Sequence, residues 1–446
     1  MIDLNKMRKV HFIGVGGIGM SAIARMIIGE GKEVTGSDRA SSLVTEELEK
    51  LGAKIAYEQK AENISADIDL IIYTIAIPED NSELKRAREL RIKCLTYPEM
   101  LGVISADKYT IAVAGTHGKT TTTAMISKVM IEAGLDPTVI VGSILKDQHS
   151  NFIAGQSDYL VVEACEYRRS FLNIHPKIIV ITNIDNDHLD YYKDLADIQN
   201  VFAEFASRLP SDGYLICDTN DPLLAPAIEA AKKVGLPGQG AQIIDYESLR
   251  GLTFQLKLQM PGEHNVKNAL AAWAVAQALK ISSSAIGALN KFSGAWRRFE
   301  FKGKTKNGAL VYDDYAHHPT EIKATIQASR EFMKQKNLNG KLIIAFQPHL
   351  YSRTKFLKDD FAHVLAQADE IILAPIYAAR EPIDPAINSD ILADLIKLKN
   401  PRVFSLFNLD QVAEQIKKDS QSNDLIITMG AGDISKVGEK LVELKP

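Results

Sequence analysis

The sequence predicts an α/β protein of three domains with mainly parallel sheets, and three observations carry that prediction. The chain has 446 residues, more than one hydrophobic core usually organises, so several cores are expected. Apolar runs of strand length alternate with helix-length segments from end to end, the pattern of sheets whose crossovers are helices. Two glycine-rich loops each follow an apolar run directly and lead into a helix-like segment, the strand–loop–helix plan of a phosphate site.

The first block, residues 1–107, carries strand candidates at Lys9 to Ile13, Glu33 to Ser37, Leu70 to Thr74 and Lys93 to Thr96. The first strand runs into HFIGVGGIGM, which spells G-x-G-x-x-G across Gly14, Gly16 and Gly19, with Gly17 between. Glycines let backbone N–H groups approach an anion, and the helix that follows points its positive end at it. Asp38 ends the second strand and completes the ribose-binding half of a nucleotide fingerprint. The motif alone specifies the diphosphate of some nucleotide and leaves open which.

The second block, residues 108–298, opens with a strand at Tyr109 to Ala114 and continues through strands near Tyr159 to Ala164, Lys177 to Ile184 and Tyr214 to Cys217 and a helical stretch from His264 to Leu279. After its first strand comes GTHGKTTT: Gly115, Thr116, His117, Gly118, Lys119, Thr120, Thr121 and Thr122. Backbone amides of such a loop wrap ATP phosphates, Lys119 reaches the β/γ oxygens, and the Thr120 hydroxyl sits on a divalent metal. The loop departs from G-x-x-x-x-G-K-[ST] in that Val113 stands where the first glycine belongs, with Gly115 two places later. A bare helix cap would need no lysine between Gly and Thr. Two nucleotide loops also weigh against a dehydrogenase, because hydride transfer needs no γ-phosphate. Glu163 ends one later strand and His188 follows another; both read either as Mg²⁺ or Mn²⁺ ligands or as solvated strand-end and turn residues.

The third block, residues 299–446, restarts with ALVYDDY, KLIIAF, EIILAP, RVFSLF and DLIITMG, separated by helix-length segments such as Glu321 to Lys334. Its chemistry-bearing residues are Asp313, Asp314, Tyr315, His317, His318, His349 and Arg353, with Arg297 and Arg298 just before it. Arginines suit phosphate and carboxylate recognition. The Asp313–Asp314 doublet reads equally as a cap for the helix after Pro319.

Composition narrows the classes. The chain is 46% apolar and 24% charged, as in ordinary globular proteins. A net charge of −4 without basic runs gives no footprint for nucleic acid. Three distant cysteines give neither a disulfide frame nor a zinc knuckle. No apolar run has transmembrane length, so no membrane insertion is expected and a reducing cytoplasm is the simplest home.

Taken in order, GVGGIGMS, GTHGKTTT, TNIDNDH, GEHNVKNALAA, WRRFE, YDDYAHHPTE and FQPHLYSRT span nearly the whole chain and resemble the Mur ligases of bacterial cell-wall synthesis. The resemblance implies a Rossmann-like N-terminal domain for a UDP-sugar, a central P-loop ATPase-like domain and a Rossmann-like C-terminal domain for an amino acid. It implies an ATP-dependent ligase with Mg²⁺ or Mn²⁺, in peptidoglycan-precursor synthesis. The member resembled most joins L-alanine to UDP-N-acetylmuramate; the alternative is the recycling ligase that attaches a tripeptide to the same UDP-sugar. By the same resemblance Gly14, Gly16, Gly17, Gly19 and Asp38 serve the UDP-sugar. Lys119, Glu163 and His188 are catalytic, with Thr120, Glu163 and His188 around the metal. The GTHGKTT loop from Gly115 to Thr121, with Asn265, Asn268, Arg297, Arg298 and Asp314, holds ATP, and Tyr315, His317, His349 and Arg353 meet nucleotide and amino acid. The chain departs from the family's usual pattern at Gln59, where relatives often have His, and at Leu350, where many have Arg.

Overall fold

The computed structural model describes residues 3–442 apart from Asp190, Pro237 and Arg380. Among them no helix is long and apolar enough to cross a membrane. The chain divides into two compact units, Met1–Lys257 with Lys267–Phe292, and Leu258–Val266 with Ser293–Pro446. The first unit holds two sheets and the second one.

The first sheet is β1 (Lys9–Ile13), β2 (Glu33–Ser37), β3 (Lys54–Ala56), β4 (Leu70–Tyr73) and β5 (Lys93–Thr96), in the order β3-β2-β1-β4-β5 and parallel throughout. The second sheet is β6 (Tyr109–Ala114), β7 (Thr138–Leu145), β8 (Ser150–Ile153), β9 (Tyr159–Glu163), β10 (Ile178–Ile181), β11 (Tyr214–Cys217) and β12 (Gln242–Asp245). Its order is β12-β11-β10-β6-β9-β7-β8, parallel except for the β7–β8 hairpin. In the second unit β13 (Glu300–Lys304), β14 (Leu310–Asp314), β15 (Leu342–Phe346), β16 (Glu370–Leu373), β17 (Val403–Ser405) and β18 (Leu425–Met429) take the order β13-β14-β18-β15-β16-β17, with only β13 antiparallel.

Strands buried on both faces need apolar side chains at every position, and β10, β15 and β18 are buried throughout. That is why they read as unbroken runs in sequence. In each half of the first unit the strand order reverses beside the first strand, β1 or β6, so a crevice opens at its C-terminal end. Both glycine loops leave from there.

Five strands escape the sequence pattern: β3, β7, β8, β12 and β13. Four of them, β3, β8, β12 and β13, are short strands at sheet edges, where little apolar surface is needed. The β7 run is broken by Gly142 and Ser143, where its pairing with β8 shifts register. The hairpin has a second role. Asn151 on β8, 2% exposed, donates its amide to the Ile18 carbonyl and, at 2.9 Å, to the Ser21 hydroxyl, fastening the second sheet to helix Ile18–Gly29 of the first.

Candidate active site

The first glycine loop is held by its own sheet. Gly14 adopts φ 81°, and the N–H groups of Gly14 and Val15 donate to the Ser37 carbonyl at 2.8 and 3.1 Å. Asp38 accepts from Gly16 N at 2.8 Å and from Arg39 N at 2.7 Å, so its carboxylate braces the loop. Gly17 caps helix Ile18–Gly29 without a side-chain hydrogen bond, leaving the helix's positive end to the loop. Gly19 leaves room for the Tyr97 ring, which a Cβ there would meet at 2.5 Å. Gln59 accepts from the Asn81 amide at 3.0 Å, which ties it to the start of helix Ser82–Glu89.

The second loop is positioned from three sides. Gly115 at φ 126° and Gly118 at φ 83° make its two sharp bends, and Gly118 caps the largely buried helix Lys119–Glu132. The segment after β10 pins its middle: His117 N donates to Asn183 Oδ1 at 3.0 Å, Asp185 N to Thr116 Oγ1 at 2.8 Å, and the His117 ring meets Asp185 Oδ2 at 2.9 Å. Asn268 closes the third side, its Oδ1 lying 2.6 Å from where a Cβ on Gly118 would stand.

Two charge-bearing clusters form at this loop. Lys119 Nζ donates to the carbonyls of Gly115 and Thr116 at 2.5 and 3.0 Å and pairs with Glu166 Oε2 at 3.0 Å. Burial disfavours the ammonium, but the neighbouring negative groups, Glu166 foremost and Glu163 among them, together outweigh it and the Lys119 pKa is raised. His188, at φ 56°, brings Nε2 within 3.7 Å of Glu166 Oε1 and packs on the Tyr167 ring. Glu166 thus joins lysine to histidine. Sequence reasoning missed it; the only signal was a second carboxylate three residues after Glu163 at a strand's C-terminal end.

The other cluster is all oxygen. Thr120 Oγ1 lies 2.9 and 3.1 Å from the two Glu163 oxygens, and Gly142 N donates to Glu163 Oε2 at 2.8 Å. A hydroxyl and a carboxylate converging beside a phosphate loop form a donor set that suits a hard divalent cation. Of the three residues assigned to metal in sequence, the structure couples Thr120 with Glu163, while His188 faces Glu166.

In the second unit, Arg297 is 4% exposed and its donors are spent on the fold: Nε on Asp313 at 2.6 Å, and the two terminal nitrogens on the carbonyls of Gly432 and Gly430 at 2.9 and 2.5 Å. Arg298 lies over the Tyr315 ring at 5.1 Å. Asp314 accepts from Phe299 N at 2.8 Å and Ala316 N at 2.9 Å; burial pushes its carboxyl up against the pull of Arg298. The aspartate doublet does not cap the helix that follows. His318 does, accepting from Thr320 N at 3.3 Å in a capping box with Glu321, because its ring sits at the N-cap position that the strand-end aspartates cannot reach. His317 stacks edge-on to His349 at 5.9 Å, and Arg353 meets His349 Nδ1 at 3.4 Å. Leu350, buried at φ 70°, points into the core. Asn265 donates to the Pro261 carbonyl at 2.7 Å.

This arrangement defines a class: an α/β protein with a P-loop whose lysine and threonine are each matched to a carboxylate. Comparison with known proteins makes the class specific. Residues 9–109 match the Mur ligase family, catalytic domain, residues 113–276 the Mur ligase middle domain, and residues 297–432 the Mur ligase, glutamate ligase domain. A UDP-N-acetylmuramate–L-alanine ligase of Clostridium acetobutylicum is 42% identical over 98% of this chain and 97% of its own length. The protein of that name from Clostridium tetani is also 42% identical, covering 98% of each chain. Among solved structures, the UDP-N-acetylmuramate-alanine ligase of Thermotoga maritima superposes with a TM-score of 0.78 at 29% identity, over 97% of this chain and 98% of that one. The chain belongs to the Mur ligase family, whose members are ATP-dependent ligases.

Proposed function

We propose that this protein joins L-alanine to the carboxylate of UDP-N-acetylmuramate in the cytoplasm, consuming ATP, as a step in peptidoglycan-precursor synthesis. Its likeness to enzymes of that name over nearly the full length supports the reading. The observation that carries it is the pairing, within one compact unit, of a glycine loop fit for a diphosphate with a P-loop whose Lys119 is charged and poised. The division into domains 1–107, 108–298 and 299–446 belongs to the same reading.

In this mechanism the substrate carboxylate attacks the γ-phosphorus of ATP, ADP leaves, and an acyl phosphate forms. The amine of L-alanine then adds to the acyl carbon, and the tetrahedral intermediate expels inorganic phosphate. Phosphoryl transfer is catalysed by positioning and charge neutralisation. Lys119 supplies the positive charge on the β/γ-phosphates, and Glu166 holds that charge in place before ATP arrives. Thr120 and Glu163, with His188, would hold Mg²⁺ or Mn²⁺, which when bound neutralises phosphate charge. Gly14, Gly16, Gly17 and Gly19 offer the UDP-sugar's diphosphate a backbone cradle, and Asp38 keeps its shape. Asn265, Asn268, Arg298 and Asp314 serve the nucleotide, with Arg297 fixing the turn that carries Arg298. Tyr315, His317, His349 and Arg353 serve the amino acid.

The test is phosphate release with ATP, Mg²⁺ and UDP-N-acetylmuramate, adding L-alanine, L-serine, glycine or the tripeptide in parallel and weighing the products. A mass gain of one alanyl residue supports the proposal. Activity with tripeptide alone reassigns the protein to the recycling reaction.

A further inference from the structure

The turn after β9 holds two consecutive non-glycine residues in the left-handed region, Arg168 at φ 52°, ψ 31° and Arg169 at φ 58°, ψ 23°. Such conformations persist only where the surroundings over-determine them, and they gather at functional sites. Here the surroundings are visible. Arg169 N donates to the Glu166 carbonyl and Phe171 N to the Cys165 carbonyl, both at 2.9 Å, and Phe171 is fully buried. The Arg169 guanidinium pairs with Asp197 and Glu204 at 3.3 and 3.2 Å.

The consequence is that the two arginines part company. Arg169 is bound to helix Leu195–Ala206, whereas Arg168 is exposed, lies over the Tyr167 ring at 5.6 Å and donates NH1 to the Ile75 carbonyl at 3.2 Å. Ile75 follows Thr74, whose methyl lies 2.6 Å from the position of a Cβ on Gly14. Tyr167 in turn packs on His188. Arg168 therefore spans the ground between the first glycine loop and the Lys119–Glu166–His188 cluster. Its partner there is a neutral carbonyl, so its charge is left for an anion, and a guanidinium offers further donors in a planar fork.

We propose that Arg168 is a substrate-binding residue that grips an oxyanion of the UDP-sugar, its diphosphate, where the sugar passes from the glycine loop toward the P-loop. This rests on the proposed function. The strain in the turn is what aims the side chain away from Asp197 and Glu204 and toward the first loop.

The experiment compares wild type with Arg168→Asn and Arg168→Lys. Asparagine removes the charge yet tolerates the left-handed region, so the turn survives; lysine restores the charge without the fork. Calorimetric titrations use UDP-N-acetylmuramate, UDP-N-acetylglucosamine, which has the diphosphate but no lactyl carboxylate, and a non-hydrolysable ATP analogue. The expected result for Arg168→Asn is about tenfold weaker binding of both UDP-sugars, unchanged binding of the ATP analogue, and a raised KM for UDP-N-acetylmuramate at near-normal kcat, with partial recovery in Arg168→Lys. A loss confined to UDP-N-acetylmuramate overturns the diphosphate contact, because UDP-N-acetylglucosamine carries the same diphosphate. Variants that bind both UDP-sugars like wild type overturn the assignment. Wild type that binds neither UDP-sugar overturns the functional reading and Arg168's role with it.

Discussion

Replacing Lys119 by alanine removes more than a catalytic charge. Glu166 has a side chain only 3% exposed, and its ion pair with Lys119 is 3.0 Å long. Breaking a buried pair from one side strands the other charge, at about 3–5 kcal/mol. Lys119 itself keeps 13% of its side-chain exposure, so water can partly replace it and about 3 kcal/mol is the appropriate figure. For a unit of this size that lowers the melting midpoint by about 6 °C. Turnover falls by about 10²–10³-fold or more, while UDP-sugar binding at the first loop survives. Adding Glu166→Gln neutralises the stranded carboxylate, so the double variant regains most of the lost midpoint and none of the activity. Differential scanning calorimetry of wild type, both single variants and the double variant, with phosphate release on each, completes the cycle. A Lys119→Ala protein that melts like wild type, or a double variant no more stable than Lys119→Ala, refutes the view of Glu166 as a buried counter-ion.

Three further outcomes follow from neighbouring geometry. In Gly142→Ala the new Cβ would sit 2.7 Å from Glu163 Oε2 and 2.9 Å from its carboxyl carbon, forcing the carboxylate off Thr120; the Mg²⁺ needed for half-maximal rate should rise about tenfold, and an unchanged Mg²⁺ titration counts against the Thr120–Glu163 pair as the metal's anchor. His264 is held neutral, its pKa lowered to about 4 by burial. Unfolding lets it take a proton at its ordinary 6.5, so between those values the unfolded state binds more protons and stability is lost as pH falls from about 6.5 toward 4, by about 3 kcal/mol in all. Urea melts at pH 7.5 and 5 should show a smaller acid loss in His264→Gln than in wild type; equal losses dismiss the burial argument. Arg297→Met strands Asp313, which is fully buried, and should cost the second unit about 3–5 kcal/mol, seen as faster hydrogen exchange along β14 and β18 with β6 and β10 unaffected.

What could be read from sequence was what burial and loop chemistry dictate. Strands covered on both faces, such as β10 and β18, announce themselves because water is excluded from every position. Both glycine loops were legible because sharp positive-φ bends beside a strand end admit few other residues. Edge strands were legible only where an apolar run remained, as in β17, since a short half-exposed strand such as β13 needs no distinctive pattern. Within the site, Lys119 and Thr120 could be named from spacing and Glu163 only from the family resemblance, but Glu166 could not be named, because its role depends on a turn that folds back on the loop. The roles of Arg297 and His318 were hidden for a similar reason: guanidinium against guanidinium, or ring against ring, sequence does not say which one faces inward. His318 became a helix cap and Arg297 a brace for the loop after β18, leaving Arg298 outward.

The hydrogen bonds from Asn151 to helix Ile18–Gly29 make the first unit a gauge of fixed length. Because the hairpin bolts the diphosphate loop's helix to the sheet that carries Lys119, the span between the two loops is set by packing and not by the ligand. On the proposed reading, a nucleotide sugar whose acid arm is a bond too short or too long would bind at one end and never reach the phosphoryl donor at the other. Selection among UDP-sugars would then be exercised in kcat, with binding left nearly indifferent.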